Sequence, residues 1–157
     1  MSQNAQKPKI LVARAIFPDL LAELEKVAIV QSNQEDHLWN AADLKAALAD
    51  KDAAIVSGGE RVDADILKAS PNLKIVSNIA VGYNNLDMPA FKAANVMATN
   101  TPDVLTDTTA DFGFTLMMAT ARRVTESEQW LRAGHWGKFS ICDAPLSMDI
   151  HHSTLGI

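Results

Sequence analysis

The residues of this chain best suited to bind a small anion lie where an apolar strand ends at a glycine, in Asn78-Ile79-Ala80-Val81-Gly82. Gly82 allows the main chain to turn so that successive backbone N–H groups face outward. Such a group of N–H donors binds a carboxylate or a phosphate without any charged side chain. A plain turn at the end of a strand is the alternative interpretation, because strand-glycine turns are common.

Histidine and cysteine offer weaker candidates for chemistry. His151-His152 could suggest a metal site, but adjacent residues of a strand point to opposite faces and no further ligand lies at suitable spacing. We therefore predict no metal site. Cys142 is the only cysteine, so it cannot form an intrachain disulfide, and no catalytic Cys-His signature surrounds it. A reducing cytoplasm is the simplest expected location.

Alternating strands and helices along residues 9–99 must position these candidates. Apolar runs typical of buried strands are separated by segments with helical spacing of apolar residues. The predicted strands are Lys9–Arg14, Val27–Val30, Ala53–Ser57, Leu73–Ile79 and Val96–Thr99, and the predicted helices are Pro18–Lys26, Ala41–Asp50, Asp63–Ala69 and Asp87–Ala94, with Asp63 and Asp87 as N-caps. This order predicts an α/β fold, a doubly wound five-stranded parallel sheet of the flavodoxin-like kind.

In an open parallel sheet, ligands bind beyond the carboxyl ends of the strands. The predicted loops at this edge are Ala15–Pro18, Ser57–Arg61 and Ala80–Asn84. Arg61 is the best-placed cation among them, although its acidic neighbours make a solvated surface arginine the alternative. The glycines of the second loop do not form a P-loop, because no Gly-Lys-Ser/Thr sequence follows them.

A single long helix is predicted at about residues 104–133, with Thr106 or Asp107 as its cap and Gly134 after its end. Its apolar residues, which include Phe112, Leu116 and Leu131, lie on more than one side. Such a helix must be buried by more than its own sheet. Two interpretations stay open: a long core helix, or a protruding arm that packs against a second copy of the chain.

Composition excludes several classes of protein. Of the 157 residues, 48% are hydrophobic and 21% are charged, which is typical of a globular domain. The formal charge of −5 argues against nucleic-acid binding, because proteins that follow a phosphate backbone carry a basic face. No apolar run has the roughly 20 residues needed to span a bilayer, so we expect no membrane partner.

Several motifs in order resemble one family closely. They are Val81–Asp87, Asn100–Asp111, Thr120–Arg123, Ala133–Trp136 and Asp149–Ile157. Together they resemble the D-isomer-specific 2-hydroxyacid dehydrogenases, and within them the glyoxylate/hydroxypyruvate reductases that include the bacterial 2-ketogluconate reductases. The chain departs from the pattern at Asn84, where aspartate is common, and in the linker 140–148.

The resemblance implies an N-terminal fragment with two parts. Residues 1–135 would be the substrate-binding domain, including the long helix as a dimerisation arm. Residues 136–157 would be a linker and the first strand, Thr154–Ile157, of a truncated Rossmann NAD(P)-binding domain. Without its sheet, we expect that strand to be disordered or loosely docked. Trp136 and Phe139 follow the arm, where an aromatic side chain could reach the other subunit.

The resemblance also implies roles for individual residues. The main-chain amides of Val81 and Gly82 would hold the carboxylate of a small 2-oxo or 2-hydroxy acid, with Asn78 to Ala80 shaping the approach. Thr109 would face the nicotinamide of NADPH or NADH. The family's catalytic Arg, Glu and His lie in or after the cofactor domain, so no catalytic residue is assigned here.

The sequence is therefore compatible with two functions. The first is the substrate-binding part of a 2-oxo acid reductase, which is inactive as an isolated chain and binds no cofactor tightly. The second is a non-catalytic, dimerising module that binds a carboxylate. The glycine-rich G-x-G-x-x-G loop of dinucleotide-binding domains is absent from the sequence, which is compatible with both.

Overall fold

A computed structural model describes residues 7–138 and 140–156 of the chain. It contains two compact units, Met1–Val104 and Leu105–Ile157. The division lies ahead of the predicted long helix, whereas the predicted substrate-binding domain extended to residue 135. The assignment of domains 1–135 and 136–157 stays a prediction.

The first unit is built around a parallel sheet of five strands. These are β1 (Lys9–Val12), β2 (Ile29–Ser32), β3 (Ala53–Ser57), β4 (Ile75–Ile79) and β5 (Met97–Thr99). Their order across the sheet is β2-β1-β3-β4-β5, and every neighbouring pair is parallel. The predicted flavodoxin-like, five-stranded α/β fold is therefore confirmed.

One face of this sheet carries the buried core. Leu11, Ala54 and Val76 lie side by side on β1, β3 and β4, and each has at most 1% of its surface exposed. Side chains of the helices α2 (Ala41–Leu48), α3 (Ala64–Ala69) and α4 (Met88–Ala94) complete the same cluster. Burial of this apolar surface is the main force that holds the strand ends in place.

Local residue chemistry determines where the helices begin. Asp63 accepts hydrogen bonds from the amides of Asp65 and Ile66 at the start of α3, and Asp87 accepts from Ala90 at the start of α4. Both predicted N-caps are confirmed, because each satisfies amides that have no partner within the helix. The helix α1 (Pro18–Val27) begins at a proline, as expected from the fixed φ of that residue.

The predicted second strand, Val27–Val30, was placed two residues too early. α1 continues through Val27, and β2 starts at Ile29, whose amide donates to the Pro8 carbonyl at 2.8 Å. Pairing between Lys9 and Ile29 begins the β1–β2 ladder. The strand boundary therefore depends on a distant partner strand, which local composition does not reveal.

The prediction of one helix over about residues 104–133 was wrong. The second unit contains two helices, α5 (Thr106–Ala121) and α6 (Val124–Arg132). Between them Arg123 has a left-handed backbone with a φ of 50°. Its guanidinium donates to the Leu146 carbonyl at 2.7 Å, and Arg122 Nε donates to Ser147 Oγ at 3.2 Å. Arginine favours helix locally, so the periodicity could not reveal a break made by these tertiary contacts.

Two further expectations for the second unit differ from the structure. Neither Thr106 nor Asp107 caps α5, because Leu105 occupies the N-cap position without a side-chain hydrogen bond. Thr154–Gly156 form no strand and are exposed, while Ile157 lies outside the described residues. A lone strand has no ladder partner for its backbone groups, which accounts for the absence of a strand at these residues.

Within the described residues, the helices are too short or too polar to cross a membrane.

Candidate functional site

The carboxyl ends of β1, β3 and β4 bring the three predicted loops together. An Arg14 guanidinium nitrogen after β1 lies 3.6 Å from a Glu60 carboxylate oxygen after β3. Asn85, after β4, donates from Nδ2 to the Ser57 carbonyl at 2.9 Å. Residues 15–18 and Ile79 also line an open apolar cleft of about 450 Å³. The loops therefore form one continuous edge, as expected for a ligand site in this kind of sheet.

The loop after β4 has its peptide planes fixed through their carbonyl groups. The Ala80 carbonyl accepts from the Thr101 amide at 3.0 Å, and the Val81 carbonyl accepts from Asn100 Nδ2 at 2.8 Å. The Gly82 carbonyl accepts from Asn78 Nδ2 at 2.9 Å. The C=O and N–H groups of a trans peptide point in opposite directions. The amides of Val81 and Gly82 are therefore directed away from these partners.

The Val81 and Gly82 amides donate no hydrogen bond to any residue in the described part of the chain. Both residues are exposed. Two successive N–H donors on an exposed loop are the arrangement that binds a carboxylate or phosphate oxygen. Three side-chain or backbone donors hold the carbonyl groups of this loop. The role of its free amides in binding an anion stays a prediction.

Gly82 contributes in a different way from the one expected. Its φ does not lie in the left-handed region, so the turn does not require the conformational freedom of glycine. A Cβ built at Gly82 would meet no atom within 4 Å. The absence of a side chain therefore leaves open the space beside the free amides, where a ligand would have to approach.

Asn78 lies beneath the loop rather than on its surface. It is 2% exposed, and its carboxamide is held by the Gly82 carbonyl and by Asn85. This placement agrees with a role in shaping the approach to the amides. Ala80 is partly buried and contributes its carbonyl to the contact with Thr101.

A buried carboxylate supports the neighbouring loop after β3. Glu60 is 3% exposed, and its Oε2 accepts from the Ser57 amide at 2.8 Å and from Ser57 Oγ at 2.9 Å. The other carboxylate oxygen of Glu60, Oε1, faces Arg14. The Arg14 guanidinium donates to both carboxylate oxygens of Asp36 at 2.7 Å. This bidentate pair holds the pKa of the Asp36 carboxyl well below its usual range, with help from the Ala15 amide.

The remaining candidates have less support from the geometry. Arg61 is a surface residue with its side chain 79% exposed and its Nε 4.0 Å from Asp63, as the alternative interpretation expected. Thr109 is exposed in the first turn of α5, in the second unit. The rings of His151 and His152 meet edge to face at 5.0 Å, and no group of three or more metal-ligating side chains occurs among the described residues.

Sequence reasoning missed Arg14, Asn85 and Asn100 as parts of this site. Each acts on a residue distant in the chain, as Asn100 does on Val81 and Asn85 does on Ser57. No local sequence pattern predicts such long-range hydrogen bonds. The available signal was topological. Arg14 and Asn100 follow the carboxyl ends of β1 and β5 within two residues, and Asn85 lies further along the segment that follows β4, at the edge where ligands are expected.

Comparison with protein families gives a match over most of the chain. The family model of the D-isomer specific 2-hydroxyacid dehydrogenase catalytic domain matches residues 10–139. A glyoxylate reductase of Thermococcus onnurineus (strain NA1) is 38% identical over 154 residues, which cover 96% of this chain and 46% of that protein. A glyoxylate/hydroxypyruvate reductase B of Yersinia pestis (strain Pestoides F) is 40% identical over 151 residues, again covering 96% and 46%.

A solved structure extends this likeness to the fold. It is an NADPH-dependent glyoxylate/hydroxypyruvate reductase of Sinorhizobium meliloti in complex with NADP and malonate. The two chains are 34% identical, with a TM-score of 0.65, over 91% of this chain and 44% of that one. The chain thus spans less than half the length of the curated relatives that it matches.

Proposed function

This chain belongs to the D-isomer specific 2-hydroxyacid dehydrogenase family, and from that premise we propose that it is the N-terminal, substrate-binding part of an NAD(P)H-dependent reductase. Its substrates would be small 2-oxo acids of the glyoxylate, hydroxypyruvate or 2-ketogluconate type. The observation that supports this most is the pair of amides at Val81 and Gly82, which donate to no residue among 7–138 and 140–156. They would hold the substrate carboxylate, while Asn78 and Ala80 shape the loop.

The chemistry available to this part of the enzyme is binding and orientation. Two amides that grip a carboxylate fix the direction in which the neighbouring carbonyl carbon faces. They supply neither the proton nor the hydride that reduction requires. We therefore assign no catalytic residue to these 157 residues, and we expect the chain by itself to reduce no glyoxylate.

The residues present do not fit tight binding of a dinucleotide. None of the seven glycines forms a G-x-G-x-x-G sequence, so the backbone cradle for a pyrophosphate is absent from this chain. We propose that NADPH or NADH is held by sequence corresponding to the other half of the relatives. Thr109, at the start of α5, would face the nicotinamide in that longer protein.

The second unit suggests a dimer. α5 has no buried residue, and large apolar side chains along it are more than half exposed, among them Phe112, Phe114 and Leu116. Large apolar side chains exposed along a helix in this way mark an interaction site or an aggregation risk. We propose that α5 and α6 form a homodimer interface, which sedimentation velocity would detect as a mass twice that of the chain.

Titration with malonate and glyoxylate tests the proposed substrate site. In a ¹⁵N-labelled chain, the Val81 and Gly82 amide resonances should shift more than those of any other loop. Gly82→Ala should weaken binding, because the new Cβ meets no protein atom yet occupies the approach to the amides. Gly137→Ala, which is equally free of contacts, is the matched control. Shifts that avoid Val81 and Gly82 would refute the assignment.

A carboxylate-binding module without catalysis is the alternative function. It is favoured by one observation, that the described residues include two amides free to bind an anion while the sequence contains no G-x-G-x-x-G loop. Joining the chain to the cofactor-binding half of the Yersinia relative separates the two proposals. The reductase proposal expects NADPH-dependent turnover of glyoxylate by that fusion, and the module proposal expects binding without turnover.

A further inference from the structure

Two carboxamide side chains, of Asn78 and Asn85, support the Gly82 carbonyl of the loop after β4. Asn78 Nδ2 donates to Asn85 Oδ1 at 3.2 Å. Asn78 Nδ2 also donates to the Gly82 carbonyl at 2.9 Å. Asn85 Nδ2 donates to the Ser57 and Glu60 carbonyls, both at 2.9 Å. One side chain, Asn85, thus connects the loop after β4 with the loop after β3.

We propose that Asn85 is a positioning residue, which through Asn78 holds the Gly82 carbonyl and so fixes the backbone on the C-terminal side of the free Gly82 amide, without touching the ligand. The inference rests on the proposed function, because it assigns to Asn85 the support of the loop whose amides would hold the substrate. It goes beyond that function by naming a side chain on which the order of this loop depends.

The backbone of Asn85 reinforces its side-chain contacts. Its carbonyl accepts from the Val62 amide at 2.9 Å, and the Asp87 amide donates to the Val62 carbonyl at 3.0 Å. The end of the loop after β4 is therefore attached to Val62 at Asn85 and again at Asp87. Movement of the Asn85 side chain would release Asn78, and with it the Gly82 carbonyl that Asn78 holds.

The carboxamide is the group that this position needs. It donates to two carbonyl oxygens and accepts from Asn78 at the same time, which neither a carboxylate nor a hydroxyl can do. An ionised aspartate would place a negative charge against the carbonyl oxygens of Ser57 and Glu60. Asn85→Asp thus removes the donors while it keeps the size and shape of the side chain.

Asn84 provides a matched control one residue away. It is exposed, and its side chain makes no hydrogen bond within the described part of the chain. Asn84→Asp adds the same charge near the cradle, so it corrects for simple repulsion of an anionic probe. Asn85→Ala and Asn84→Ala form a second, uncharged pair of variants, which keeps the test valid if one of the Asn85 variants fails to fold.

Two measurements on the full 157-residue chain test the proposal. The first is ¹⁵N relaxation of the Val81 and Gly82 amides without ligand, and the second is the Kd for malonate by resonance titration. We expect both Asn85 variants to increase the mobility of these two amides. We also expect malonate binding to weaken about tenfold relative to the matching Asn84 variant, the effect of one lost buried hydrogen bond.

The outcomes separate this inference from the proposed function. Amide mobility and malonate affinity equal to those of the Asn84 variants would overturn the positioning role, even if the Asn85 variants were less stable to urea. If the unaltered chain binds no malonate, the substrate site fails. The relaxation data then still decide whether Asn85 orders the loop. Increased mobility confined to residues 80–85 supports the inference, and unchanged mobility refutes it.

Discussion

Replacing Glu60 by glutamine and by alanine should show how firmly the loop after β3 is held. The Glu60 side chain is 2% exposed, and its Oε2 accepts from both the amide and the hydroxyl of Ser57. Glutamine keeps an acceptor for these donors and loses only the charge assistance, a change of about 1 kcal/mol. Arg14 is not left unpaired, because both oxygens of Asp36 still bind it.

Alanine removes the acceptor as well. The Ser57 amide would then be buried without a partner, and together with the lost ionic contact this should destabilise the chain by about 3 kcal/mol. Urea unfolding at neutral pH measures both values from the shift in midpoint and the slope. Glu23→Gln and Glu23→Ala are the controls, since that carboxylate is 68% exposed and pairs with Lys26 on the surface. Their effects should stay within about 0.5 kcal/mol. An alanine effect at Glu60 as small as that at Glu23 would refute the reasoning.

Three further predictions concern the core, acid stability and the cradle. Phe91→Ala should destabilise the chain by about 3–5 kcal/mol because Phe91 is 1% exposed, whereas Phe17→Ala, at a 76% exposed position, should cost less than about 1 kcal/mol in the same urea assay. Hydrogen bonds from Lys51 and Lys9 lower the pKa of Asp50 from 3.8 to about 2. The folded-state pKa is the lower one, so this stabilisation is complete above the ordinary pKa and is lost as the pH falls towards 2. Asp50→Asn should therefore reduce the loss of stability between pH about 4 and about 2, as measured by urea unfolding at each pH. Asn100→Ala frees the Val81 carbonyl, so malonate binding should weaken roughly threefold to tenfold in the resonance titration.

The fold was predictable because its information is local and periodic. Apolar runs such as Leu11-Val12 and Ala54-Ile55-Val56 predict buried strands, and Asp63 and Asp87 mark the starts of helices. Alternation of strands and helices then leaves few topologies for a parallel sheet. The predictions failed where the structure depends on distant contacts, as at the β2 boundary and at the break between α5 and α6.

The site was predictable only in part, for a physical reason. Its proposed donors are main-chain amides, which every residue except proline possesses, so residue type alone cannot identify them. Gly82 pointed to the correct loop, although its expected role in the turn was wrong. Which amides are free depends on which carbonyl groups are already occupied, and the partners Thr101 and Asn100 lie on the segment after β5.

A site made of main-chain amides can still be indicated by the sequence, through the side chains that bond the carbonyl groups of the same loops. Asn78, Asn85 and Asn100 each use Nδ2 to occupy carbonyl oxygens of the loops after β3 and β4. Each carbonyl fixed in this way directs the N–H of the same peptide to the opposite side. Asparagine suits this task because it donates without adding a charge, whereas aspartate has no donor and lysine or arginine would compete for the anion. Asparagines at the carboxyl ends of parallel strands or in the loops that follow them are therefore candidates for holding a neutral, main-chain anion site, and they can be found in a sequence once the strands are known.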